Sequence, residues 1–338
     1  MDIAVLGAGT WGSALARLLT KNGHVVTLWS AFPEELTAIA KTHRHQHLGE
    51  AEMPEALRIC ANLKETVYEK NMVVFAVPSP YVRLTAEKAA PYLSSGQILV
   101  NVAKGIENTT GLLLSDVIQD VLTKQRSGES FALVTLSGPT HAEEVAQDLP
   151  SAIVSASKEE FAAQCVQDAF MNEQFRVYTN RDIHGVELCG ALKNVIALAA
   201  GISDGLGFGD NAKAAIITRG MAEMTRLGLA MGCLPETFAG LAGYGDLIVT
   251  ATSVHSRNHR CGEFIGQGLS PKQAVREVGQ VVEGINALPA ARSLAARYDV
   301  DMPIVDAVNA ILCGVDVRST VFSLMTREKK TEFRSISV

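Results

Sequence analysis

Asp2–Trp29 reads DIAVLGAGTWGSALARLLTKNGHVVTLW, and the order of its residue types decides the fold. Ile3–Leu6 is a short apolar run, followed at once by Gly7-Ala8-Gly9-Thr10-Trp11-Gly12. Ser13–Asn22 then has helical spacing, with Leu15, Leu18 and Leu19 on one side. Gly23 stops it, and Val25–Trp29 is a second strand-like run. A GxGxxG alone says little. Set between a strand and a helix, it predicts a dinucleotide-binding turn, in which Gly7, Gly9 and Gly12 let backbone approach a pyrophosphate at a helix N-terminus.

Outward from this unit, apolar runs recur at Met72–Ala76, Ile98–Val102 and Phe131–Leu136, with helical stretches between. That alternation predicts a parallel doubly wound sheet, completed by Ala152–Ser155 and Arg176–Tyr178. Ligands bind such sheets at the carboxyl ends of strands. Here those ends carry Gly7–Gly12, Ser30, Val77-Pro78-Ser79, Lys104-Gly105 and Ser137-Gly138-Pro139-Thr140. Lys104 stands out, because a cation on that rim suits an anionic ligand. The second strand ends in Trp29-Ser30-Ala31-Phe32, neither the acid that favours NAD nor the arginine that holds a 2′-phosphate. Ser30 could donate to a phosphate or hydroxyl, and Phe32 could lie against adenine. After Asn180 the pattern turns to long helical stretches, so residues 1–180 are expected to form the Rossmann domain and 181–338 an all-helical domain.

Gly185–Asn211, GVELCGALKNVIALAAGISDGLGFGDN, is apolar nearly all the way round a helix from Leu188 to Ile202, save Lys193 and Asn194. Such a helix is buried. A lysine in it loses hydration, and its pKa falls unless a carboxylate answers it. Lys193 is therefore the expected chemical centre. Asp246, alone before the apolar run Leu247–Val249, is either a helix N-cap or the partner of Lys193. Ser256-Arg257-Asn258 is either a solvated helix end or a phosphate cage. Gly201, Gly205, Gly207 and Gly209 read as a turn that lets Asn211 begin the next helix. His43, Arg44, His45 and His47 read as a solvated basic loop near the adenosine phosphate, and no metal is expected there or elsewhere.

Composition bounds the rest. The 338 residues are 47% hydrophobic and 20% charged, with a formal net charge of −6, which argues against a nucleic-acid partner. The mixed tail Arg327–Arg334 reads as a solvated end. No basic segment precedes the first strand, and no apolar stretch is read as reaching the roughly 20 residues of a membrane span. Six cysteines without CxxC spacing suit reduced, mostly buried thiols in a cytoplasmic protein.

The 185–211 stretch, GDLIVT (245–250), SRN (256–258) and Val281-Val282-Glu283-Gly284 closely resemble NAD(P)-dependent glycerol-3-phosphate dehydrogenase of the bacterial type. So do GAGTWG (7–12), VPS (77–79), AKG (103–105) and SGPT (137–140), in order along nearly the whole chain. The resemblance implies a helical second domain like that of 6-phosphogluconate dehydrogenases, a homodimer, and reversible interconversion of dihydroxyacetone phosphate and sn-glycerol 3-phosphate for phospholipid synthesis. It makes Lys193 the proton acceptor and donor, aided by Asp246 and Lys104. Lys104, Gly138, Thr140, Lys193, Asn194, Asp246, Ser256, Arg257 and Asn258 fall on substrate positions. Gly7, Gly9, Thr10, Trp11, Gly12, Ser30, Pro78, Lys104, Ala142, Arg257, Val281 and Glu283 fall on NAD or NADP positions. The chain departs from the family where a basic residue often follows the second strand (here Ser30-Ala31-Phe32). It departs again where an aromatic-Leu-Pro turn is common (here His47-Leu48-Gly49). Dehydrogenases of other substrates on this architecture, or a catalytically silent NAD(H) sensor, would lack the Lys193 stretch or its partners.

Overall fold

The computed structural model describes residues 1–329 and 331–332, so part of the tail Arg327–Arg334 lies outside the described residues. Eight strands form one sheet: β1 (Asp2–Leu6), β2 (Val25–Trp29), β3 (Arg58–Ile59), β4 (Met72–Phe75), β5 (Ile98–Asn101), β6 (Ala132–Ser137), β7 (Ser151–Ala156) and β8 (Phe175–Asn180). Their order is β3-β2-β1-β4-β5-β6-β7-β8. The direction of winding reverses between β1 and β4, and there the ligand crevice of such a sheet opens.

The sheet is not wholly parallel. β7 runs antiparallel to β6, and β8 is parallel to β7. Between β6 and β7 the chain has only a five-residue helix, Ala142–Ala146. A helix that short rises about 7.5 Å, too little to carry the chain back along a strand of about 20 Å. β7 therefore returns in the opposite sense. β3, two residues paired to β2, had no apolar run to announce it.

Apolar clusters cover both faces of the sheet. A third surrounds the helix Ile183–Gly205 and reaches onto the sheet through Val154 and Ala156. From Ile183 onward the described residues contain no strand. Asp182 starts the central helix by accepting from Gly185 N at 2.9 Å, and its second oxygen takes Leu234 N and Thr237 Oγ1, both at 2.8 Å. Contrary to the sequence expectation, this helix has 23 residues, long and apolar enough by composition to cross a membrane, yet it is buried within the protein.

The glycines also differ from expectation. Gly201 and Gly205 lie in the central helix, and the next helix already begins at Gly209. They face Gly262 and Gly266 of the helix Arg257–Gly266 at backbone contact: a Cβ on Gly201 would stand 2.0 Å from the His259 carbonyl oxygen. These glycines bring the Arg257 segment against the helix that carries Lys193. The cysteines are three buried, two partly buried and one exposed, so they are less buried than expected.

Candidate active site

Lys193 sits midway along the central helix and is 6% exposed, so its ammonium is largely cut off from solvent. Asp246, 1% exposed, answers it: Lys193 Nζ donates to Asp246 Oδ1 at 2.7 Å. Lys193 also donates to Thr250 Oγ1 at 2.6 Å. Lys104, from the segment after β5, donates to the other Asp246 oxygen, Oδ2, at 2.6 Å and to the Gly138 carbonyl at 3.0 Å. One buried carboxylate thus joins two ammonium groups from opposite halves of the chain. Burial pushes the Lys193 pKa down to about 7, with the Lys104 charge adding to the fall and Asp246 opposing it. Burial works to raise Asp246, but Lys104 and Lys193 outweigh it and hold the carboxyl below its ordinary value.

Local structure aims these groups. Asp246 is not an N-cap; Gly245 holds that place, and Asp246 opens the helix Asp246–Thr252. The preceding π-helical turn Leu241–Gly245 closes through Gly245 N to Gly240 O at 3.2 Å, a distortion typical of functional sites. Asp246 and Thr250, four residues apart on this helix, share the face that meets Lys193. Gly190 admits the sheet: a Cβ there would lie 3.0 Å from Ser137 Oγ and 3.4 Å from Lys104 Cγ.

Asn194 and Asn258 form a brace between helices. Asn258 Nδ2 donates to Asn194 Oδ1 at 2.9 Å, while Asn258 Oδ1 accepts from Gly284 N at 2.8 Å. Ser256 caps its helix by accepting from His259 N at 3.2 Å and keeps its own proton. Arg257 is exposed, 3.4 Å from Gln280 Oε1. Thr140 turns its hydroxyl to the Gly138 carbonyl at 3.3 Å. Sequence reasoning missed Thr250 and His141. The spacing from Asp246 could have found the first. His141, between Thr140 and Ala142, has a buried Nε2 without a partner among the described residues. Burial first, then the Lys193 and Lys104 charges, lower its pKa.

The sheet's rim fits a dinucleotide. Gly7 has φ +123°, and a Cβ on it would lie 2.6 Å from the Ala76 carbonyl. A Cβ on Gly12 would lie 2.0 Å from the Gly7 carbonyl, whereas Gly9 faces open space. The helix Thr10–Lys21 has no side-chain cap, so its first N–H groups are free for a pyrophosphate. Thr10 and Trp11 form its partly buried first turn, and Ala142 opens the short helix packed beside it. Exposed Pro78 leads into Ser79, whose Oγ donates to Glu283 Oε2 at 2.7 Å, so Glu283 stands over the crevice. Val281, two residues earlier, is exposed. Two expectations are met only in part. Ser30 stands at the strand end as expected, but it is buried and its hydroxyl donates to Glu35 Oε2 at 2.6 Å. His45 is buried too, its Nδ1 accepting from His47 N at 3.2 Å, and Arg44 is held by Glu50 and Glu52, whereas His43 and His47 are exposed as expected.

Models of the NAD-dependent glycerol-3-phosphate dehydrogenase N-terminus and C-terminus match residues 2–163 and 182–321. Glycerol-3-phosphate dehydrogenase [NAD(P)+] 2 of Lactobacillus delbrueckii subsp. bulgaricus is 56% identical over 98% of each chain. The glycerol-3-phosphate dehydrogenase [NAD(P)+] of Thermoanaerobacter sp. is 48% identical over 99% of this chain and 100% of its own. A crystal structure of glycerol-3-phosphate dehydrogenase from Coxiella burnetii superposes with a TM-score of 0.91 at 35% identity, covering 96% of this chain and 99% of that one.

Proposed function

This chain belongs to the NAD-dependent glycerol-3-phosphate dehydrogenase family, an NAD(P)-dependent dehydrogenase acting on glycerol 3-phosphate, and from that premise we propose how its residues divide the work. The bound nicotinamide supplies or accepts the hydride. The protein has to hold a ketone or alcohol, place one proton and bind one phosphate.

Lys193 handles the proton. Asp246 and Thr250 take two of the three donor positions of its ammonium, and the third is directed to the substrate oxygen. In the reductive direction Lys193 protonates the developing alkoxide of dihydroxyacetone phosphate; in the oxidative direction neutral Lys193 takes the proton back. Asp246 orients Lys193 and Lys104 and keeps their charges tolerable. Ser256 and Arg257 receive the phosphate with Thr140 and the Gly138 backbone, while Asn194 and Asn258 brace that wall. His141 adds a hydrogen bond to bound substrate through its unpartnered Nε2. Gly7–Gly12, Pro78, Ala142, Val281 and Glu283 line the cofactor crevice, with residues 1–180 its domain and 181–338 the helical one.

The reaction runs towards sn-glycerol 3-phosphate for phospholipid synthesis, in a cytoplasmic homodimer; six free thiols suit a reducing compartment. The Lys104–Asp246–Lys193 linkage is the observation that supports this reading most directly. Loss of reduced-nicotinamide absorbance on adding dihydroxyacetone phosphate tests it. Lys193→Ala should abolish turnover while the cofactor still binds; retained turnover removes Lys193 from its role.

A further inference from the structure

β2 ends at Trp29, whose carbonyl accepts from Gly7 N at 2.7 Å, so the residues after it stand beside the glycine-rich turn. In this type of fold the ribose nearest adenine is read at that strand end. An acid there bonds the 2′-hydroxyl, whereas an arginine holds a 2′-phosphate. The residues directly after β2 carry neither, but the fold delivers an acid from the helix that follows.

Phe32 N donates to Ser30 Oγ at 3.1 Å, turning the chain so that Pro33 starts the helix Pro33–Thr42. This brings Glu35, in the first helical turn, over Ser30, which donates to Glu35 Oε2 at 2.6 Å. Across the edge of β2, Trp29 Nε1 donates to Ala61 O at 3.1 Å. The next residue there, Asn62, donates to a second acid, Glu65, at 2.7 Å. The nearby basic loop is answered: Arg44 bonds Glu50 and lies 2.9 Å from Glu52.

Resting on the dehydrogenase reading above, we propose that Glu35, held by Ser30, is the residue that reads the adenosine ribose and selects NADH over NADPH. A carboxylate offers about four acceptor positions and Ser30 fills one, which leaves others for a 2′-hydroxyl. A 2′-phosphate would set a dianion against the same carboxylate, with the Arg44 guanidinium already engaged by acids.

Calorimetric titration of the whole protein with NADH and with NADPH, beside rates with each on dihydroxyacetone phosphate, tests this. NADH should bind at least about tenfold more tightly than NADPH. Glu35→Gln keeps an acceptor for Ser30 and removes the charge, so NADPH affinity should rise about tenfold with NADH changed far less. NADPH binding as tightly as NADH to the natural protein would overturn the proposal, whatever the variant does. So would an unchanged ratio in a Glu35→Gln protein of unaltered circular dichroism. Binding of NADH without turnover of dihydroxyacetone phosphate would instead strike the substrate reading and leave the ribose proposal standing.

Discussion

Lys104 and Lys193 reach the same Asp246 carboxylate from opposite sides, at 2.6 and 2.7 Å, one oxygen each. Two cations on one buried anion leave the site with an excess positive charge, the sign a phosphorylated substrate needs. Asp246→Asn would remove the anion that opposes the fall in the Lys193 pKa and leave the Lys104 ammonium facing a neutral amide. Removing one partner of a buried ion pair costs about 3–5 kcal/mol, so the variant should melt several degrees lower. Its kcat should fall about 10²–10⁴-fold, since the proton donor loses its orientation. A kcat within tenfold of the natural enzyme would show that Asp246 is dispensable for placing Lys193.

The depressed pKa of Lys193 fixes opposite pH responses in the two directions. Reduction needs the ammonium, so its rate should decline as pH rises through about 7; oxidation needs the amine and should gain over the same interval. Stability carries the same signature. An unfolded lysine keeps its proton to about 10.4, whereas folded Lys193 releases it at about 7. Between those values the unfolded chain binds more protons, so this group makes stability rise with pH. Lys193→Met should flatten that slope in denaturant titrations at pH 7 and 9. An equal slope in both proteins would place the lysine's folded pKa near its ordinary value.

Thr250 separates positioning from packing. Its hydroxyl accepts from Lys193 at 2.6 Å and lies 3.3 Å from Asp246 Oδ1. Thr250→Val keeps the shape and removes the acceptor. It should lower kcat about 10–100-fold with KM little changed, and Thr250→Ser should restore most of it. A fall confined to KM would mean that Thr250 serves binding alone.

Much of this was legible in the residues, and the remainder was not for identifiable reasons. The central strands β1, β4 and β5 announced themselves as apolar runs because both faces of the sheet are covered, whereas β3, two residues long, did not. Lys193 announced itself as one cation in an apolar helix, and Asp246 as the acid fit to answer it. Lys104 was visible as a rim cation, but its bond to the same Asp246 crosses 142 residues and leaves no local pattern. Glu35 was hidden similarly: at the strand end the linear pattern displays only Ser30, and the hairpin-like bend at Phe32 brings the acid back. The antiparallel β7 depended on how far a five-residue helix can carry the chain, a matter of length rather than composition.

Glu187 ties the sheet to the central helix in a way that catalysis does not use. Its carboxylate accepts from Asn101 Nδ2 at 2.8 Å, Ser115 N at 3.0 Å, Ser115 Oγ at 2.6 Å and Thr135 Oγ1 at 2.9 Å. Glu187→Ala would strand the Ser115 N–H and one of the two Asn101 amide N–H groups in a buried place. At about 1–3 kcal/mol for each of the two groups left unpaired, the loss should be about 2–6 kcal/mol. Thermal unfolding would reveal it; a melting temperature within a degree of the natural protein would mean that water reaches this joint.

The contact that joins the helix Arg257–Gly266 to the central helix is steric. Gly262 stands against the central helix, and a Cβ there would lie 2.1 Å from the Leu198 carbonyl oxygen and 2.8 Å from Ile202 N. Neither is a flexible side-chain end that could swing away. Gly262→Ala must therefore push the helix Arg257–Gly266 off the central helix, at a cost of about 1–3 kcal/mol or more. Arg257 and Asn258 begin that same helix, so the displacement carries beyond stability. The Asn258–Asn194 bond, 2.9 Å in the intact protein, loosens with it, and Arg257 moves relative to Lys193. The variant should show a KM for dihydroxyacetone phosphate that rises more than the NADH dissociation constant, because the glycine-rich turn at Gly7–Gly12 belongs to a separate packing unit. Only the Glu283 side of the crevice, joined to Asn258 through Gly284, is disturbed. A rise in the NADH dissociation constant matching the rise in KM would instead mean that the two halves shift together.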